Sequence, residues 1–333
     1  LSTITPIEVP APVKAGRVNA FYIHDSSPAI IDPGVDSPEA LAALKAGTEQ
    51  HGGSLAAIER VILTHGHIDH SGLAGRFAEE NGASIFVHKL DRLSVWGADR
   101  NRFKEQTEAY RRFFTRCGAP PDVFRAAEEQ LLDRYSTYLY PLTEECTLEH
   151  NERIRFDTLE LLAVHAPGHS AGGLCLLDEV SGALYAGDAL FPEMTCNPLT
   201  EDSSDEDPCR RDDGDFMVGL DRLDELSVST VYPGHGKQFS DYSAWMRKLR
   251  RTHEDRLSAV RELVRQRHRS GNADDAGITA FEAGKSLFPT YSGLDAFIAL
   301  SAGKQYLDVL CRQNYVEMVQ SDPIRRFRWS GEC

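Results

Sequence analysis

Near the start of the chain, apolar and polar positions alternate in short runs. Arg17–Ile23 (RVNAFYI) and Ala29–Ile31 read as strands, the second leading into Asp32-Pro33-Gly34. Pro38–Gln50 carries an amphipathic helical pattern, closed by His51-Gly52-Gly53. Ile58–Leu63 (IERVIL) is a further strand, Ser71–Asn81 a helix with Gly82 as its C-terminal cap, and Ser84–Val87 another strand. From about Leu90 to Leu142 the period changes to that of long, charged helices studded with aromatics and broken at Gly118–Pro121.

Strand patterns return at Arg153–Phe156, Glu160–Val164, Gly173–Leu177 and Ala183–Ala186, with Glu179–Gly182 as a hairpin turn between the last two. Asp215–Leu226 reads as a helix and Thr230–Tyr232 as a strand. Strands and helices in this order place sheets in the middle and helices outside. Helices are expected over Trp245–Arg269, Ile278–Leu287 and Leu294–Arg312. A β-ribbon of Tyr315–Val319 and Ile324–Trp329 would then turn at Ser321-Asp322-Pro323. There is no internal repeat.

Composition adds limits. The 333 residues are 41% hydrophobic and 26% charged, ordinary for a globular chain of one large or two smaller domains. No apolar run is long enough to cross a bilayer, and no charged-then-apolar leader is present. Seven cysteines (117, 146, 175, 196, 209, 311 and 333) are scattered without paired spacing, which fits a reducing compartment rather than a disulfide framework. A cytoplasmic protein with no membrane partner is therefore expected.

The net charge of -15 is uneven: 21 basic against 40 acidic residues in 1–241 (net -19), and 15 against 11 in 242–333 (net +4). Such an acidic body repels polyanions and disfavours a nucleic-acid substrate. The acidic loop at 200–215 reads as a solvated excursion. Arg265–Arg269 (RQRHR) and Arg325–Trp329 (RRFRW) have the look of nucleic-acid patches, but a solvated helix face and chain end explain them better. The aromatics at 291, 297 and 306 fit helical core spacing.

One stretch is chemically dense. THGHIDHSG, residues 64–72, puts His65, His67, Asp69 and His70 into six consecutive positions at the end of a strand. In extended chain alternate residues share a face, so His65 and His67 can grip one ion. As the chain turns into a helix, Asp69 and His70 point elsewhere and can serve a second, on the order of 3.5–4 Å away. Further candidates follow predicted strands: His169 in Ala166-Pro167-Gly168-His169-Ser170, Asp188 in Ala186-Gly187-Asp188, and His235 in Tyr232-Pro233-Gly234-His235-Gly236. A glycine precedes each and would let the backbone turn tightly.

His65-x-His67-x-Asp69-His70, His169, Asp188 and His235 together resemble, in order, the ligand set of the metallo-β-lactamase superfamily, over roughly residues 5–240. The resemblance implies an α+β fold, a four-layer αββα sandwich with a helical insertion at about 90–142. That catalytic domain would span 1–240, and a mainly helical, winged-helix-like module 241–333. It implies two divalent metal ions, zinc first, with iron or manganese as alternatives. His65, His67 and His169 would hold one ion and Asp69, His70 and His235 the other, with Asp188 and a hydroxide bridging them. Asp69 would also orient the nucleophile and pass on its proton. Asp32, Thr64 and Ser170 are candidates for hydrogen bonds behind the ligands, although Asp32 is equally explained as a turn residue. His88 and His165 lie near the motifs in sequence. His24, His51, His150, His253 and His268 lack any partner pattern and are expected at the surface.

The implied chemistry is hydrolysis. The core is similar to glyoxalase II, a thioesterase, without its glutathione-binding pattern, and the tail is similar to lactamase-like hydrolases that include thioesterases and endoribonucleases. The expected activity is a dinuclear metal-dependent hydrolase of a small ester, thioester or lactone. A metal-dependent phosphodiesterase or endoribonuclease is the alternative. The partner expected is a small-molecule substrate; oligomeric state is not legible.

Overall fold

The structure, a computed structural model, describes residues 2–12, 16–92, 100–192, 197–198, 215–270, 277–290, 293–321 and 323–331. Its centre is a pair of sheets. The first contains β1 (Thr3–Pro10), β2 (Arg17–His24), β3 (Ala29–Ile31), β4 (Arg60–Ile62), β5 (Ser84–Val87) and β6 (Cys146–Thr147), in sequence order across the sheet. The second contains β7 (Arg153–Arg155), β8 (Glu160–His165), β9 (Leu174–Asp178), β10 (Ala183–Gly187) and β11 (Thr230–Pro233), again in chain order across the sheet.

Successive side chains on a strand point to opposite faces, and here both faces are buried. Phe21, Ile23, Ile31 and Ile62 of the first sheet meet Leu161, Ala163, Leu176 and Tyr185 of the second, forming the layer between the sheets. Their neighbours Ala20, Tyr22, Ile30 and Val61 face outward onto α1 (Pro38–Gln50) and α3 (Ala74–Asn81), meeting Leu44 and Phe77. On the far side, Val164, Cys175, Leu177, Leu184 and Val231 face α6 (Phe216–Asp224) and α7 (Tyr242–Arg269), meeting Leu220, Leu223 and Leu249. The result is the expected αββα sandwich.

Between β5 and β6 stand α4 (Arg100–Arg116) and α5 (Pro121–Tyr138), the helical insertion, broken at the expected place. After α7 come α8 (Ala280–Leu287), α9 (Leu294–Arg312) and the antiparallel ribbon of β12 (Val316–Ser321) and β13 (Ile324–Trp329). One hydrophobic cluster joins Phe113 and Phe124 of the insertion, Val164 and Val231 of the second sheet, and Tyr306, Leu310 and Phe327 of the C-terminal segment.

Several expectations shift. The helix expected over Ser71–Asn81 is two pieces, a short α2 (Ile68–Ser71) and then α3, whose Gly82 cap has φ 68°. The strand β1 was not predicted, because Pro6 and Pro10 interrupt its pattern; it lies at the sheet edge, where a missing N–H is tolerated. His253 is buried rather than at the surface, with Nδ1 2.8 Å from the Tyr306 hydroxyl. Cys117, Cys146 and Cys175 are not disulfide-bonded, whereas Cys311 is, so the cysteines carry no argument about compartment. Tyr291 and residues 200–214 of the acidic loop lie outside the described residues; Asp215 caps α6 through its side chain. Among the described residues, no helix is long and apolar enough to cross a membrane.

Candidate metal centre

Chain direction brings the motifs to one edge. β3 and β4 are parallel, as are β10 and β11, and β8 is antiparallel to β9, which is antiparallel to β10. Asp32, the Thr64–His70 turn, His169, Asp188 and His235 each follow the C-terminal end of one of these strands. Backbone hydrogen bonds set the loops against one another: Leu174 N–H to Thr64 O (2.7 Å), Gly234 N–H to Gly187 O (2.7 Å) and Asn19 N–H to Gly234 O (2.7 Å).

Two of the expected glycines act for different reasons. Gly187 has φ 48°, and a Cβ there would collide with the Thr64 hydroxyl. Gly234 needs no unusual φ. Its missing Cβ leaves room for the Asp188 carboxylate and the His70 ring.

The side chains gather into two trios. His65, His67 and His169 form one; Asp69, His70 and His235 form the other, each with its ligand-type atoms within 4.8 Å of one another. In the first, His67 Nδ1 is 2.8 Å from His169 Nε2. In the second, His70 Nε2 is 3.3 Å from His235 Nε2, and Asp69 Oδ2 is 3.2 Å from the same His235 atom. Asp188 touches both: Oδ2 lies 3.3 Å from His169 Nε2 and 3.6 Å from His235 Nε2, and Oδ1 lies 3.3 Å from His70 Nε2.

Hydrogen bonds behind the rings decide which nitrogen each presents. Thr64 donates its N–H to Asp32 Oδ1 (2.8 Å) and its hydroxyl to Asp32 Oδ2 (2.6 Å). With that proton committed, the Thr64 oxygen accepts from His65 Nδ1 (3.0 Å), leaving Nε2 with a lone pair. That Nε2 is buried and has no hydrogen-bond partner among the described residues. His70 Nδ1 donates to Asp32 Oδ2 (2.9 Å), and His235 Nδ1 to the Arg17 carbonyl. Each frees its Nε2 for the cleft. A grouping of Asp32 with His65 and His70 also lies within ligand distance, but Asp32 is filled by these three donors. Asp32 sits in left-handed backbone (φ 50°), an unusual conformation for a non-glycine residue.

Electrostatics separates the trios. Burial, reinforced by neighbouring histidines, holds His65 well below its usual pKa, and His169 is pushed down to about 3 by burial and His67. Burial would also lower His70 and His235. For His70 the carboxylates of Asp188, Asp69 and Asp32 outweigh it, and for His235 those of Asp69 and Asp188 do; both rise. Burial alone would raise Asp69, but His70 and His235 pull it down. Bare imidazole nitrogens facing one another beside buried carboxylates fit a divalent cation. Two nitrogens about 2.0–2.1 Å from one tetrahedral zinc are about 3.3 Å apart, close to the separations seen. A small cavity lined by Thr64, His65, His169 and Asp188 lies beside the first trio.

The sequence reading missed Asp91. It is buried, accepts the Gly66 N–H at Oδ2 (2.9 Å) and the Gly172 N–H at Oδ1 (2.6 Å), and so ties the His65–His67 turn to the loop after His169. Ser170 lies beside Asp91, but its buried hydroxyl makes no hydrogen bond among the described residues. His88 and His165 stay out of both trios. Their rings stack at 3.9 Å, and His165 Nε2 donates to the Ala171 carbonyl (2.8 Å), supporting the same loop.

The metallo-beta-lactamase superfamily profile matches residues 13–235. A probable metallo-hydrolase (YqjP) of Bacillus subtilis is 28% identical over 309 residues, covering 92% of both chains. An acyl-coenzyme A thioesterase (MBLAC2) of Gallus gallus is 26% identical over 182 residues, 54% of this chain and 56% of that one. The crystal structure of a metallo-beta-lactamase family protein from Thermus thermophilus superposes with a TM-score of 0.78 at 25% identity, covering 98% of each chain. With its seven motif residues gathered at one edge of an αββα sandwich, the chain belongs to the metallo-β-lactamase superfamily.

Proposed function

We propose that this protein is a dinuclear metal-dependent hydrolase whose substrate is a small thioester, ester or lactone. The observation that carries the reading is the pair of adjoining trios with Asp188 in contact with both. His65, His67 and His169 hold one divalent ion, Asp69, His70 and His235 the second, and Asp188 is shared. Zinc suits these nitrogen and carboxylate donors first, iron or manganese next. When bound, such ions act as Lewis acids and make a nucleophile available from water near neutral pH.

The chain's own residues do the rest. Asp32, directly and through Thr64, fixes the tautomers of His70 and His65. Asp69, on the cleft side with 14% of its side chain exposed, orients the attacking water and relays its proton to the leaving group. The thioesterase among the relatives supports a thioester. The C-terminal segment argues against a nucleic-acid substrate: Phe327 and Trp329 are buried, Arg328 pairs with Glu317 and Arg267 with Glu282. Residues 1–240 form the catalytic domain in this reading.

Metal analysis of the wild type and of Asp188→Ala, paired with thioester and single-stranded RNA assays, tests it. Two ions per chain, depleted in the variant, with thiol release and intact RNA are expected. A metal-free wild type would overturn the proposal, and RNA cleavage without thioesterase activity would replace the substrate class.

A further inference from the structure

We infer that Asn19 is a positioning residue for the second ion, its side-chain amide holding the loop that carries His235. This rests on the dinuclear reading above and adds to it a residue outside the seven motif positions.

On a strand, side chains two apart share a face, so Asn19 of β2 lies in line with Phe21 and Ile23, which pack between the two sheets. Asn19 is only 9% exposed, and an amide buried among apolar neighbours is costly unless its protons are bonded. Both are. Nδ2 donates one proton to the Pro233 carbonyl (2.9 Å) and the other to the Gly236 carbonyl (2.9 Å). Carbonyl oxygens only accept, so the NH2 group, not the amide oxygen, must face them. β3 pairs with β2 only from Phe21 to Ile23, which leaves the strand edge at Arg17 and Asn19 to the His235 loop. There the Asn19 N–H reaches the Gly234 carbonyl (2.7 Å), and the Arg17 carbonyl accepts from His235 Nδ1.

The carbonyls of Pro233, Gly234 and Gly236 thus all turn to one residue. The base of the loop is tied separately, by the bridge between Val231 and Phe239, whose two N–H···O bonds measure 2.8 and 3.1 Å. Asn19 sets the middle, where His235 leaves the backbone, and the Arg17 carbonyl then fixes the ring's tautomer. One strand of the first sheet therefore places a ligand supplied by the second. The residue type follows from the bonds. A serine hydroxyl has one proton where two are used. An aspartate would set a carboxylate against two carbonyls, and a leucine of similar size would leave both carbonyls buried without that donor.

The test removes the amide from proteins that keep one ion each. Asn19→Leu and Asn19→Asp are combined with His169→Ala, expected to retain the second ion, and with His235→Ala, expected to retain the first. Zinc is then titrated in competition with a chelator. With His169→Ala both changes should weaken zinc by about 10–100-fold, Asn19→Asp at least as much as Asn19→Leu; with His235→Ala the effect should stay below about twofold. A residue that merely packs would reverse that order, because aspartate is the closer in shape, and would act alike in both backgrounds. If either background releases both ions, the titration is run in the otherwise wild-type protein, where one ion should weaken and the other hold. Hydrogen exchange in the metal-free protein reads the loop without any ion. The Gly234 N–H, bonded to the Gly187 carbonyl (2.7 Å), should exchange faster in Asn19→Leu, and the Gly172 N–H, held by Asp91, should not. Circular dichroism checks folding, with Asn19→Ser as the third variant. Equal losses at both ions, no loss at either, or three variants that all fail to fold overturn the assignment. If the wild type binds no zinc, the dinuclear reading has failed. Faster exchange at Gly234 alone then still supports the hold on the His235 loop, and unchanged exchange removes that as well.

Discussion

The two trios use similar side chains but are braced in different ways. His65, His67 and His169 sit on two loops held together by backbone N–H groups meeting at one carboxylate, Asp91. Asp69, His70 and His235 are braced ring by ring, through Asp32 and the Arg17 carbonyl. Asp69 lies with the second trio and Asp32 bonds its His70 directly, so His70 and His235 gain protons readily, whereas burial makes His65 and His169 of the first lose them. Similar ligands can therefore hold cations of different affinity, because the shell behind them differs.

The largest effects should come from taking one ligand out of each trio. His169→Ala and His235→Ala are each expected to lose one ion and keep the other, with thioester turnover down on the order of a thousandfold. Metal counting decides the matter: loss of both ions from either change would show that the trios form a single unit. Next come the braces. Asp91→Asn should weaken only the first trio's ion, and Asp32→Asn both ions, each by about 10–100-fold in competition with a chelator. Equal losses of both ions in Asp91→Asn would erase the contrast.

Thr64→Val is expected to cost about tenfold at the first ion alone, since the hydroxyl links Asp32 to His65 and not to His70. The mildest effect lies outside the two trios, at His253, held neutral by burial with a pKa of about 4 against an ordinary value near 6.5. Below pH 6.5 the unfolded chain takes up a proton that the folded chain refuses until about pH 4. The stability contribution is complete above 6.5 and declines through that window, by on the order of 1–3 kcal/mol. His253→Met should leave the metal count at two and flatten that part of the pH dependence of chemical unfolding.

Much of this was legible from sequence because it rests on local rules. Period-two runs marked most strands, and the seven residues of the two trios and their shared aspartate could be picked out by their motifs. Asp91 could not, because its partners are peptide N–H groups 25 and 81 residues away, which no side-chain pattern records. His253 is a different case. It continues the spacing of Tyr242, Met246 and Leu249 along α7, so its burial was readable from period alone despite its polar ring. Asp32 stood between a turn and a supporting role until its three donors were seen.

His65 to His70 leave the first sheet, whereas His169, Asp188 and His235 leave the second. Any cation seated among them fastens one half of the sandwich to the other. Heat tolerance should then follow cation supply: at a hundredfold excess over the dissociation constant, each occupied seat adds about 2.7 kcal/mol to the folded state. A cell that starves this protein of metal would loosen its frame as well as silence it.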